Sequence, residues 1–207
     1  MSGAMRAWVL GVCSILSMLA APAAFARELK VLVMGDSLSA AYGLRPEQGW
    51  VILADRQSAR YAFHNASMSG ETSAGGRSRF AAELQRAKPD IVVIELGAND
   101  GLRGLPLQQM GSNLGWMIGA SKAVGARVLL VGLQLPPNFG SYATDFQRSY
   151  VLISERLGTG LIPHFLAPLG IQRKWFQADN THPVAEAQPL LAAQVLKALD
   201  ALPAPAR

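Results

Sequence analysis

Apolar runs, rich in β-branched residues, recur along this chain between longer mixed stretches. Residues 91–96 and 127–133 are such runs, the first interrupted only by Glu95 and the second opened by Arg127, and residues 29–34, with Lys30 near their start, read as a buried strand as well; each predicts a strand. Residues 61–65 form a weaker fourth run and 160–163 a short fifth. Runs without polar alternation suit a parallel sheet covered on both faces. The stretches 50–58, 76–87, 107–124, 146–157 and 183–202 read as helices. The second ends before Lys88-Pro89, because a residue preceding proline is pushed out of the helical region. Gly125 and Gly158 stop the third and fourth, and Pro183 suits the first turn of the last. Strand–helix alternation of this kind predicts an α/β doubly wound sandwich. There is no internal repeat and no interior linker, and the Ala/Pro-rich tail after Leu202 is expected to fray.

In such a sheet, ligands bind beyond the carboxyl ends of the strands. Ser37 follows the first strand, Gly70 comes a few residues after the second, and Asn99 follows the third. Leu135-Pro136-Pro137-Asn138 follows the fourth. The topology therefore brings these distant segments to one edge.

Residues 1–26 stand apart from this pattern. Arg6 precedes a run rich in Ala, Leu and Val, and Ala24-Phe25-Ala26 closes it. That is the order of a secretory signal peptide. The run is shorter than the roughly 20 residues a membrane span needs. Cys13 lies inside it, and Val12 is not the small residue a lipoprotein signal would place there. Cleavage at Ala26 would leave residues 27–207 as one domain without cysteine. This excludes a cysteine nucleophile and thiolate metal sites, and suits a periplasmic or secreted protein. The formal charge of +5 falls to +4 when Arg6 is removed. The basic residues form no block, so they read as a solvated surface and not as a nucleic-acid site. Weak attraction to an anionic envelope surface is compatible with this charge, and a monomer is expected.

The chemistry the edge can support depends on which base is available. A serine hydroxyl is a poor nucleophile until a base takes its proton. The chain offers His64, His164 and His182. His64 ends a predicted strand and reads as structural; His164, between Pro163 and Phe165, reads as packing. Asp179 stands three residues before His182, a spacing that in a turn brings a carboxylate to one ring nitrogen and leaves the other for Ser37. Asn99, the Gly70 N–H and the Ser37 N–H are donors for a developing oxyanion. Each piece alone has a plainer reading. Ser37 can cap a helix, Asp-x-x-His can be a helix cap, and Asn99-Asp100-Gly101 can be an ordinary turn.

Together, Gly-Asp-Ser-Leu-Ser-Ala at 35–40, Glu-Leu-Gly-Ala-Asn-Asp-Gly-Leu-Arg-Gly at 95–104, Leu-Pro-Pro-Asn at 135–138 and Asp-x-x-His-Pro at 179–183 resemble the GDSL-type, or SGNH, hydrolases. The branch they look like holds secreted bacterial esterases with thioesterase, protease and lysophospholipase activities, and arylesterase relatives. The resemblance implies a three-layer flavodoxin-like sandwich, with helices on both faces of a parallel five-stranded sheet. It implies a Ser37-His182-Asp179 mechanism with Ser37, Gly70 and Asn99 as the oxyanion hole, no metal or other cofactor, and a flexible loop after Asn99 that helps hold an acyl chain. Ala41 and Ala98 depart from glycines common in the family, and adjusted loop shape is expected there. The expected substrates are lysophospholipids, fatty-acyl and aryl esters, and thioesters. Leu102, Leu105 and Pro136 are candidate apolar walls. Two alternatives are an O-acetylesterase acting on cell-wall glycan, for which Trp50, Trp116 or Trp175 would have to line a groove, and a non-catalytic envelope binding protein.

Overall fold

Five strands form at the apolar runs: β1 (Leu29–Gly35), β2 (Tyr61–Asn65), β3 (Ile91–Glu95), β4 (Arg127–Val131) and β5 (Gly160–Ile162). A computed structural model describes residues 27–203; the expected signal peptide, residues 1–26, lies outside the described residues. All strand pairs are parallel, in the order β2-β1-β3-β4-β5. That is the flavodoxin-like order, with its reversal point between β1 and β3. The two strands end level, with Gly35 opposite Glu95. Every residue of β3 is buried, which explains its lack of polar alternation.

Among the described residues the α-helices are α1 (Trp50–Gln57), α2 (Ser73–Ala87), the short α3 (Ala98–Leu102), α4 (Leu107–Ala123), α5 (Ser141–Leu157) and α6 (Gln188–Asp200). Helices α1 and α6 pack together, while α2 packs on α4 and α4 on α5. In α5, Phe146, Tyr150 and Ile153 recur on one buried face at helical spacing. The buried Tyr150 hydroxyl donates to the Leu96 carbonyl at 3.0 Å. It occupies the space a Cβ on Gly97 would need, 2.2 Å away. Glycine at 97, with φ of 119°, thus lets the chain turn sharply out of β3 toward the site.

Three boundaries differ from the sequence pattern. Helix α2 starts at Ser73, where the Thr72 side chain accepts from the Gly75 N–H and the Asp100 carboxylate accepts from both N–H and hydroxyl of Ser73. Helix α5 starts at Ser141, after Gly140 at φ 58°. The last helix starts at Gln188, and Pro189 takes the first-turn position expected of Pro183. Pro183 instead pairs with Phe176 in an isolated antiparallel bridge.

Candidate active site

Ser37 emerges from β1 into a run of turns and not into a helix, so it caps nothing. Gly35 makes the exit possible. A Cβ there would lie 2.7 Å from the Ser39 side chain and 2.8 Å from Glu95 Oε2. His182 comes from the opposite end of the chain on a tight loop. The Gln177 N–H donates to the His182 carbonyl at 2.8 Å and the Val184 N–H to the Trp175 carbonyl at 2.9 Å. Asp179 Oδ1 accepts from the N–H groups of Thr181 (2.9 Å) and His182 (3.0 Å). This Asx-type turn fixes the carboxylate.

The loop brings three of the five expected residues together. His182 Nδ1 lies 2.7 Å from Asp179 Oδ2, and His182 Nε2 lies 2.8 Å from Ser37 Oγ. With Asp179 accepting the Nδ1 proton, Nε2 is left to accept from the serine hydroxyl. Partial burial opposes ionisation of Asp179. The backbone and ring N–H groups of His182 and the Thr181 N–H outweigh it and hold the carboxyl down at about 2.

Asn99 lines the same cavity as Ser37 and His182, but on α3 and not in an ordinary turn. Its amide nitrogen donates to Asp36 Oδ2 at 3.1 Å and to the Glu71 carbonyl at 3.0 Å. Gly70 is not a cavity-lining residue. It sits exposed on the adjoining loop, its carbonyl accepting from Arg103 Nη2 at 3.0 Å. Its φ of 79°, with nothing near a built Cβ, shows that backbone conformation and not crowding favours glycine there. Among the described residues, the Ser37 N–H has no protein acceptor.

The cavity is about 620 Å³, an ordinary size for a small-ligand site. Leu102, Leu135, Pro136, Ile171 and Phe176 contribute apolar walls. Leu105 is not a wall residue; its carbonyl accepts from the Tyr142 hydroxyl. His164, read as packing, lines the wall as well, and burial lowers its pKa. His64 is exposed, 3.6 Å from Glu83. None of Trp50, Trp116 and Trp175 lines the cavity: Trp50 is wholly buried against Phe165, and Trp116 packs edge-on to Phe80. No group of three or more His, Cys, Asp or Glu among the described residues is placed to hold a metal ion.

The model of the GDSL-like lipase/acylhydrolase family matches residues 33–188, a span that holds the whole constellation. The chain belongs to that family. It is 46% identical over 203 residues to esterase TesA of Pseudomonas aeruginosa, covering 96% of this chain and all of the relative. It is 36% identical to thioesterase 1/protease 1/lysophospholipase L1 of Escherichia coli strain K12, over 83% of this chain and 84% of the relative. The crystal structure of the psychrotrophic esterase EstA from Pseudoalteromonas, inhibited by monoethylphosphonate, superposes with a TM-score of 0.79 at 38% identity. It covers 84% of this chain and 97% of that one. The protein is accordingly a carboxylic ester hydrolase of the SGNH fold.

The two departures from the family's glycines have different consequences. Ala98 is an ordinary first residue of α3, because Gly97 already supplies the positive φ. Ala41 holds φ of 56°, a conformation that strains any residue with a Cβ, and it is buried beside Gly49.

Four further residues complete the site. The Tyr42 ring lies 4.4 Å from the His182 ring, centroid to centroid, and so covers the imidazole. Gln177 donates to the carbonyls of Tyr42 (2.8 Å) and Pro183 (3.1 Å), tying the histidine loop to the serine turn. Asp36 and Glu95 are both wholly buried behind Ser37. Burial raises Asp36 to about 6, against the Leu38 N–H, the His182 charge and the Asn99 amide. Burial and the neighbouring Asp36 raise Glu95 well above the ordinary range. The signal for this pair was present in the sequence: Asp36 stands two residues past the first strand run, and Glu95 is the lone charged residue inside the run at 91–96.

Proposed function

We propose that this esterase acts on lipid-like and aryl carboxylic esters through an acyl-enzyme formed on Ser37. The observation that carries the reading is the continuous Ser37–His182–Asp179 hydrogen-bond chain opening into an apolar cavity. Ser37 Oγ attacks the carbonyl carbon as His182 Nε2 takes its proton. His182 returns that proton to the leaving alkoxide, and the alcohol departs. Water, deprotonated by His182, then attacks the acyl-enzyme and releases the acid and free Ser37. Asp179 orients the ring and faces the imidazolium. The Ser37 N–H and the Asn99 amide, both at the cavity, hold the oxyanion, and the Gly70 N–H on the adjoining loop serves as the third donor.

Lysophospholipids and fatty-acyl esters suit the leucine, proline and isoleucine walls better than a glycan does, since no tryptophan among the described residues lines the cavity. The name of the Escherichia coli relative, thioesterase 1/protease 1/lysophospholipase L1, favours acyl esters and lysophospholipids. The N-terminal pattern supports export to the periplasm or beyond, and the basic charge supports weak association with an anionic envelope surface. The protein acts as a monomer with no cofactor.

Hydrolysis of p-nitrophenyl esters from acetyl to palmitoyl, alongside lysophospholipid and acetylated glycan, tests the substrate range. Ser37→Ala is expected to abolish turnover and leave the thermal melt nearly unchanged. Wild-type preference for acetylated glycan, or full activity of Ser37→Ala, would overturn the reading.

A further inference from the structure

The Asn99 side chain poses a problem that the triad does not. An amide has a donor end and an acceptor end, and only the nitrogen can stabilise an oxyanion. Reversed, the same side chain would point a carbonyl oxygen at the developing negative charge. The orientation must therefore be enforced by its neighbours.

Two acceptor-only groups face the amide. Asp36 Oδ2 takes one N–H at 3.1 Å and the Glu71 carbonyl takes one at 3.0 Å. Glu71 is itself fixed, its carboxylate gripped by both Nε and Nη2 of Arg79. Asp36 is fixed more tightly. Its Oδ1 accepts from the Leu38 N–H at 3.1 Å, and its own N–H donates to Glu95 Oε2 at 3.3 Å. Glu95 Oε2 also accepts from the Ser39 hydroxyl at 2.7 Å. Asp36 is wholly buried, where a carboxylate is costly and a neutral amide of the same shape would cost less. Its acceptor-only character explains why a carboxylate stands there: a neutral amide could turn a donor toward Asn99 Oδ1 and permit the reversed orientation.

We propose that Asp36 is the positioning residue of the oxyanion hole, holding the Asn99 amide with its nitrogen toward the reacting carbonyl and joining it to the turn that carries Ser37. The inference rests on the oxyanion role proposed for Asn99. Both amide hydrogens are engaged at rest. The oxyanion, being charged, is a stronger acceptor than the neutral Glu71 carbonyl and draws that N–H across, while Asp36 keeps the other. The amide is thereby ready without being left unpaired.

A double-mutant cycle tests this, with kcat and KM for p-nitrophenyl butyrate measured for wild type, Asp36→Asn, Asn99→Ala and the double variant. Asp36→Asn is expected to lower kcat about 10- to 100-fold with KM within about threefold, below the loss typical of deleting an oxyanion donor. In the Asn99→Ala background the same change is expected to cost less than about twofold, because nothing remains to position. An equal loss in both backgrounds, or no loss in the wild type, overturns the proposal. If Asn99→Ala alone leaves kcat unchanged, the oxyanion reading falls first and this inference with it; an additive cycle removes this inference alone. A second measurement does not depend on the Asp36 variants folding. The Asn99 side-chain amide resonance, identified by its loss in Asn99→Ala, is expected to exchange with solvent at least about tenfold slower than a free amide. Exchange at the free rate overturns the proposal.

Discussion

Asp36 and Asp179 are two carboxylates of one site driven in opposite directions. Asp179 is held at about 2, below its ordinary 3.8, so its contribution to stability is present above pH 4 and fades as pH falls toward 2. Asp36 is raised to about 6, so its contribution has the reverse sign. The protonated form favours the fold, and that stability is lost as pH rises from about 4 to 6. A shift of that size corresponds to roughly 3 kcal/mol in a buried position. Asp36→Asn, which cannot ionise, escapes the loss. Its melting temperature relative to wild type is expected to climb by on the order of 10 °C between pH 4 and pH 7. Scanning calorimetry at four pH values checks this, and a difference that does not vary with pH would contradict it. The site thus carries a charge that opposes stability where activity needs it.

At the scale of elements, the loop bounded by the Trp175–Val184 hydrogen bond is the least regular part of the site and the most consequential. The sequence pattern predicts a helix beginning at Pro183 here, because proline suits a first helical turn and Asp-x-x-His can cap one. What displaced the helix is long-range: Gln177 bonds the carbonyls of Tyr42 and Pro183, and Phe176 pairs with Pro183. No local propensity encodes such contacts. Residues 99–101, whose plainer reading is a turn, show the same limitation. Their turn-like composition conceals a short helix whose Asp100 anchors the start of α2. The serine, the histidine and its aspartate were legible because one chemistry requires all three, whereas Tyr42 and Gln177 serve only to place them. Gln177→Ala is expected to lower kcat/KM for p-nitrophenyl butyrate about tenfold, since small displacements of a catalytic group are costly. Most of the loss should fall on kcat. Wild-type kinetics in that variant would show that the histidine loop holds its place without the clamp.

The whole molecule explains why such distant segments converge. The 2-1-3-4-5 strand order places the ends of β1 and β3 side by side at the reversal point, and Ser37 and Asn99 leave from those ends. Strand positions were readable to within about two residues because a doubly covered parallel sheet leaves no polar alternation to blur them. The cavity was less legible. Its walls come from loops after β3, β4 and β5, and two of its residues, Ile171 and His164, gave no sign of facing it. The central claim remains chemical: ester cleavage passes through a covalent acyl group on Ser37. Rapid acid quenching during turnover of a p-nitrophenyl ester, followed by intact-protein and peptide mass spectrometry, tests it most directly. The account predicts one acyl group per chain, on the peptide containing Ser37 and absent from Ser37→Ala. An acyl group on another residue, or turnover that continues unchanged in Ser37→Ala, would contradict it.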